Sequence, residues 1–155
     1  MASNELLAAL GRGLLAGLAG TIAMTASERL EMAVSGRAPS TVPGQVGAHL
    51  LPGRDPESAT DVQRLNGPVH WAHGISMGAL RGALDVAGVG GREASVAHFA
   101  LVWGGDAALY QALGIARPPW RWDVDALTTD VLHKGVYAAV TGAVYEAASR
   151  PPGDD

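Results

Sequence analysis

Between Leu6 and Thr25 the chain reads LLAALGRGLLAGLAGTIAMT, apolar throughout except for Arg12. At 1.5 Å of rise per residue a helix of this length covers roughly 30 Å, the thickness of a bilayer's hydrocarbon core. Three further stretches have a similar character. PVHWAHGISMGALRGALDVAGV is broken by Arg81 and Asp85, and ASVAHFALVWGGDAALYQALGI has His98, Asp106 and Gln111 as its polar positions. The stretch from Val124 to Ala147 is polar in its first half (Asp125, Asp130, His133, Lys134) and apolar in its second. The pattern predicts helices over about 6–27, 68–89, 94–115 and 124–147, one domain of residues 1–148, and a tail at 149–155 expected to be disordered. Residues 35–66 hold Pro39, Pro43, Pro52 and Pro56 and most of the turn residues, which predicts a long loop with short helices in it, one opened by Pro43.

Small residues recur along these stretches at helical spacing. Gly13 and Gly17 share a face of the first helix, and Gly74, Gly78 and Gly82 form an i, i+4 stripe on the second. In a water-soluble helix each glycine is unfavourable by about 1 kcal/mol relative to alanine, whereas between membrane helices it lets backbones touch. The expected fold is therefore all-α, a four-helix transmembrane bundle with one long Pro-rich loop between helices 1 and 2. The glycine faces are its expected packing surfaces. Gly104 and Gly105 predict a kink or tight crossing. Trp120 and Trp122, with Arg117 and Arg121 beside them, are the residue types that anchor a helix end at the headgroups. Arg29, Arg37, Arg54, Arg64, Arg117 and Arg121 all fall on one side of such a bundle, which places that side in the cytoplasm by the positive-inside rule.

Composition narrows the function. Apolar residues make up 48% of the chain and charged ones 17%, against about 25% in an average soluble domain. The mean hydropathy is only +0.14, so the polar residues must gather in loops or turn inward. The absence of cysteine excludes disulfides, thiolate metal sites and thiol nucleophiles. A net charge of −4 with one lysine, Lys134, argues against nucleic acid as a partner. The N-terminus has no basic segment of the kind that opens a signal peptide, so the first helix is expected to be retained. No nucleophile elbow, P-loop, dinucleotide fingerprint or His-Glu-x-x-His motif occurs, and no catalytic residue is assigned.

What chemistry remains lies in ionisable groups inside the predicted spans. Each is expensive in lipid, by about 2.5 to 3.5 kcal/mol on insertion scales, and must face inward and pair. Measured from the arginine-rich side, Glu28, His70, His73 and Tyr110 fall within the first two turns, and Asp106, Asp130 and His133 fall nearer the middle. Asp130-x-x-His133 and His70-x-x-His73 each put two such groups on one helix face. Three readings compete. Buried hydrogen-bonded pairs would tie helices together, with Asp106 to His133, Arg81 to Asp85 and Glu28 to His73. A chain of Asp, Glu and His would relay protons or respond to pH. A His/carboxylate metal site would use His70, His73 and His133, although only Asp130 with His133 imitates the carboxylate-bundle motif. The glycine stripes would admit a flat pigment or quinone, but helix packing explains them first.

A combination in the second half resembles the YagU-like family of small bacterial inner-membrane proteins. It comprises a histidine within a span, an apolar helix ending in Gly114, then Pro118, Pro119 and Trp122, and an acidic helix start leading to His133. The opening GLLAGLAGTIAMT is similar to the first span of such proteins. The resemblance covers roughly residues 94–147 and implies a helical protein of the bacterial inner membrane with no established activity. Three classes follow: an accessory or scaffolding subunit of a membrane assembly, a proton- or metal-linked channel or relay, and a soluble helical bundle. In the first two, the bilayer and other membrane subunits, or copies of this chain, are the expected partners.

Overall fold

The computed structural model describes residues 2–150, and these fold into α-helices with no strand among them. The order is α1 (Ala2–Ser35), α2 (Val42–Leu50), α3 (Ala59–Val86), α4 (Gly91–Ala112) and α5 (Val124–Ser149), with a 3-10 turn at Pro119–Arg121 before α5. The four long helices form a ring in which α1 touches α3 and α5, and α4 closes it against α5 and α3. Helix α2 lies on the first half of α3. Residues 151–155, most of the tail expected to be disordered, lie outside the described residues.

The boundaries depart from the sequence pattern where packing overrides composition. Helix α1 continues past Thr25 through Glu28, Arg29 and Glu31 to Ser35, and Gly36, at φ 72°, ends it in the left-handed region. The stretch 35–66 is not one loop. Pro43 sits in the first turn of α2, where a missing N–H costs nothing. Ser58 caps α3 by accepting from the Asp61 amide at 3.3 Å. Pro68, where the apolar pattern begins, lies inside α3 and leaves the Arg64 carbonyl without its helical donor. The helix survives there because α2 holds it: Asn66 accepts from the Gly44 amide and donates to the Ser40 carbonyl, each at 2.9 Å.

Helices α1 and α3 meet backbone to backbone. A Cβ added to Gly13 would stand 2.5 Å from the Gly78 carbonyl oxygen, and one on Gly17 would stand 2.8 Å from the Gly78 Cα. A Cβ on Gly78 would collide with the Gly13 carbonyl, one on Gly82 with the Ala9 backbone, and one on Gly74 with the Thr21 hydroxyl. Gly104 and Gly105 behave otherwise. Nothing lies within 4 Å of a Cβ at either position, so they make no tight crossing, and α4 runs through them unbroken.

The interior mixes small apolar residues with polar and charged ones, and many large apolar side chains lie outside. Buried residues include Thr21, Arg81, His98, Asp106, His133, Lys134 and Thr141, while Leu7, Leu15, Ile22, Val96, Leu101 and Leu132 are each more than half exposed. Among the described residues one helix, Ser3–Ser35, is long and apolar enough by length and composition to cross a membrane.

The glycine contacts make a direct prediction. Gly78→Ala should lower stability in thermal unfolding by about 1–3 kcal/mol, because its methyl meets rigid backbone. Gly105→Ala should leave stability unchanged or raise it by up to about 1 kcal/mol through helix propensity alone. Equal melting temperatures for the two variants would contradict this packing.

Candidate functional site: a chamber at the arginine-rich end

The end of the bundle where α1 finishes and α5 begins opens into a cavity of about 1270 Å³. Asp123 starts α5 by accepting from the Ala126 amide at 2.8 Å, and the helix then presents Asp130, His133 and Lys134 on one face. Facing them are Thr25, Glu28 and Glu31 of α1, His70 and His73 of α3, and Asp106 and Tyr110 of α4. Helix α2 contributes Val42, Pro43 and Val46 to the wall. All six residues singled out by depth along the sequence, Glu28, His70, His73, Asp106, Asp130 and His133, therefore line one space.

Their partners differ from those expected. Asp106 does not meet His133: its Oδ1 stands 2.9 Å from His73 Nε2 and its Oδ2 3.4 Å from Lys134 Nζ. His73 therefore faces Asp106 and not Glu28, at ion-pair distance but without a hydrogen bond from its Nε2 among the described residues. Arg81 does not pair with Asp85 one turn along. It reaches Glu146 Oε1 at 3.4 Å, and Asp85 accepts from Tyr145 Oη at 2.9 Å. In each case the partner comes from another helix, since the expected same-helix or depth-matched pairs ignore how the ring rotates each face.

At the centre sits Lys134, 9% exposed. Its Nζ donates to Asp130 Oδ1 and Oδ2 at 2.9 and 3.1 Å, and it lies 5.2 Å from the Tyr110 ring centroid. Asp130 also accepts from Trp103 Nε1 at 2.9 Å. The result is a continuous row, His73, Asp106, Lys134, Asp130 and Trp103, in which two carboxylates share one ammonium.

A second row runs outward. His133 Nδ1 and Ser27 Oγ share a 2.8 Å hydrogen bond, and His133 Nε2 points toward Glu31 Oε2 at 3.7 Å without bonding it. Glu31 in turn accepts from Arg37 Nε at 3.0 Å and Nη2 at 2.7 Å and from Ser35 Oγ at 2.7 Å. That bond to Glu31 pushes the guanidinium of Arg37, in the loop beyond α1, still further above its already high range. His70 Nε2 and Thr25 Oγ1 share a 2.9 Å hydrogen bond.

The three histidines weighed as zinc ligands are thus turned to separate partners. Among the described residues no group of three or more His, Asp or Glu side chains converges as a metal centre would require. Trp122 lines the chamber and donates to the Arg117 carbonyl, while Trp120 is 79% exposed, so only Trp120 projects outward as an anchor would. His49 is exposed and bonded to the Gln45 carbonyl at 2.9 Å. Phe99 and Trp103 stack with ring centroids 6.3 Å apart.

Lys134, Trp103, Ser27 and Glu31 join the site without being among the six candidates. A signal for Lys134 is present in the sequence: the only lysine stands four residues after Asp130, one helical turn along the same face.

Lys134→Met should destabilise the protein by about 3 kcal/mol, since it leaves the buried Asp106 and the partly buried Asp130 without their shared cation. Adding Asp130→Asn should recover part of that loss. Denaturation in detergent measures both, and a Lys134→Met protein as stable as the parent would show that the ammonium is not what holds the row.

Comparison of the chain with protein-family models, with curated proteins and with solved structures finds no match.

Proposed function

We propose that this protein is an integral membrane bundle in which α1, α3, α4 and α5 all cross the bilayer, and that it handles protons along a polar axis fed by the chamber. The single observation that carries the reading is the placement of the long side chains: a buried arginine, lysine, aspartate and two histidines among small apolar residues inside, and leucine, isoleucine and valine outside. Water-soluble bundles bury the second set and expose the first. From Val131 to Val144 no exposed position of α5 bears a charge, and the same holds for α4 from Ala94 to Ala108. These belts cover about 20 Å each, which a bilayer accommodates by local thinning and by snorkelling of the flanking arginines. The resemblance to the YagU-like family supports a bacterial inner membrane as the location. The arginine distribution supports a cytoplasmic chamber mouth.

Polar groups continue below the chamber. Tyr137 Oη donates to the Gly74 carbonyl at 2.6 Å, and Thr141 Oγ1 lies buried beside this pair's helices with no hydrogen-bond partner among the described residues. His98, fully buried, bonds the Met77 carbonyl through Nε2 at 3.0 Å and leaves Nδ1 free. Beyond it lie Arg81 and Tyr145. Free donors and acceptors in such a column are positions through which water and a proton can be passed.

Two measurements test the reading separately. Membranes washed with sodium carbonate should retain the protein, and recovery as a soluble species without detergent would replace the membrane reading with a soluble bundle. In vesicles loaded with a pH-sensitive dye, a potassium diffusion potential should drive proton uptake that Asp106→Asn lowers about tenfold or more. His133→Asn, which keeps a donor and an acceptor but cannot titrate near neutrality, should fold normally and shift the pH dependence of that uptake. No uptake by the parent protein would end the proton reading.

A second reading, as an accessory or self-associating subunit of a membrane assembly, is favoured by one feature. The outer face of α4 around Gly104 and Gly105 is open and small, which suits a helix from another subunit. Under it, Gly105→Leu changes the oligomeric state in detergent and leaves the monomer fold intact.

A further inference from the structure

The end opposite the chamber has a recess of its own, of about 350 Å³, where the last turns of α3 and α5 meet the start of α4. Its wall includes Arg81, a residue only 1% exposed. The guanidinium lies 4.5 Å over the Tyr145 ring, and one nitrogen, Nη2, reaches Glu146 at 3.4 Å. Its Nε and Nη1 are buried and meet no acceptor among the described residues. A guanidinium has five N–H donors, and burying it with most of them unused is unfavourable unless something else fills them.

The facing wall supplies more donors. Gly90 and Gly91, the N-cap and first residue of α4, line the recess. Gly90 offers no side chain to cap the helix, so the first amides of α4 keep their hydrogens for another acceptor. A Cβ built on Gly90 or Gly91 meets nothing within 4 Å, so no neighbouring side chain crowds these two residues on that side. The positive end of a helix of 22 residues adds its partial charge at the same place. Arg150 stands at the rim.

Three carboxylates lie nearby: Asp85 and Glu146 in the wall, and Glu93 in the first turn of α4. Asp85 accepts from Tyr145 at 2.9 Å and lies 4.0 Å from Arg12, which offsets part of its charge. Glu146 is the one acid set against Arg81, at a long 3.4 Å, and its side chain is 39% exposed and free to swing outward.

The geometry points to a phosphate-binding site, with the oxygens of one phosphate group held between the Arg81 guanidinium and the first amides of α4. A tetrahedral oxyanion can accept from both walls at once, bidentately from arginine and along the helix axis from the amides. The phosphate is either free inorganic phosphate or the headgroup of a phospholipid. The second source rests on the membrane reading above, because it needs this end of the bundle to sit at headgroup depth, and the first does not.

The full chain in maltoside detergent, titrated calorimetrically, tests this in two arms: sodium phosphate, and short-chain phosphatidylglycerol in mixed micelles with the matching diacylglycerol as blank. Saturable binding is expected in at least one arm. Arg81→Gln should weaken it about tenfold or more by removing a charge-assisted pair. Glu146→Gln should tighten it about threefold by freeing Nη2 from its internal competitor. Should Arg81→Gln fail to fold, Glu146→Gln and Arg150→Ala carry the test, the latter weakening binding. Binding of sodium phosphate identifies a soluble ligand, and binding of the phospholipid alone identifies a headgroup. The site is overturned by no saturable binding in either arm, or by binding that Glu146→Gln and Arg150→Ala both leave unchanged. A carbonate-resistant protein that binds neither probe would keep the membrane reading and lose this one.

Discussion

Where α1 crosses α3 there is room for backbone and nothing else, and the remaining geometry is arranged around that contact. Gly13 and Gly17 against Gly78, Ala9 against Gly82 and Thr21 against Gly74 bring the helix axes closer than any larger side chains would permit. This closeness carries Thr25 to His70 and aligns the end of α1, with Glu28 and Glu31, opposite the middle of α3. On its other side α1 meets α5 at Gly20, against Thr141 and Tyr137, so one helix sets the positions of two neighbours. Contact energy there is mainly dispersion between backbones, supplemented by the 2.7 Å bond from Thr21 Oγ1 to the Gly17 carbonyl within α1. Helix α4 has no such contact through its paired glycines and is held by polar and aromatic groups instead.

Those polar groups are the second determinant. Lys134 and Asp130 on α5 reach Asp106 and Trp103 on α4, and Asp106 reaches His73 on α3. The row therefore ties three helices that touch through few apolar side chains, since the buried apolar cluster comprises only Val102, Tyr137 and Ala138 with a few partly buried neighbours.

The four long helices, the glycine face of α1 and α3, and the gathering of six ionisable residues at one end could all be read along the chain. Spacing at i, i+4 and depth from a helix end are one-dimensional quantities, and they survive folding. The partners could not be read, because they depend on the rotation of each helix about its axis. Asp106 and His133 lie at similar depth, yet α5 turns Lys134 and not His133 toward α4. Pro68 misled in a different way. A proline normally marks a helix start, but here the helix-terminal role falls to Ser58 and the proline is carried inside α3 by its contact with α2. Gly104 and Gly105 have the same spacing rules as the packed glycines and face open space, so small residues indicate where a close contact is possible and not whether one forms.

The two ends of the bundle solve opposite electrostatic problems. In the chamber the buried Asp106 and the partly buried Asp130 face one ammonium, with His73 beside Asp106. At the other end a buried guanidinium is left short of acceptors, with Glu146, 39% exposed, as its one ion-pair partner among the described residues. Between them the bond from Tyr137 to the Gly74 carbonyl, at 2.6 Å, crosses from α5 to α3 at the level of the glycine contact. Loosening the α1 to α3 crossing would shift Gly74 and stretch that bond. The same crossing thus fixes both the backbone contact of α1 with α3 and the place of the acceptor for that bond.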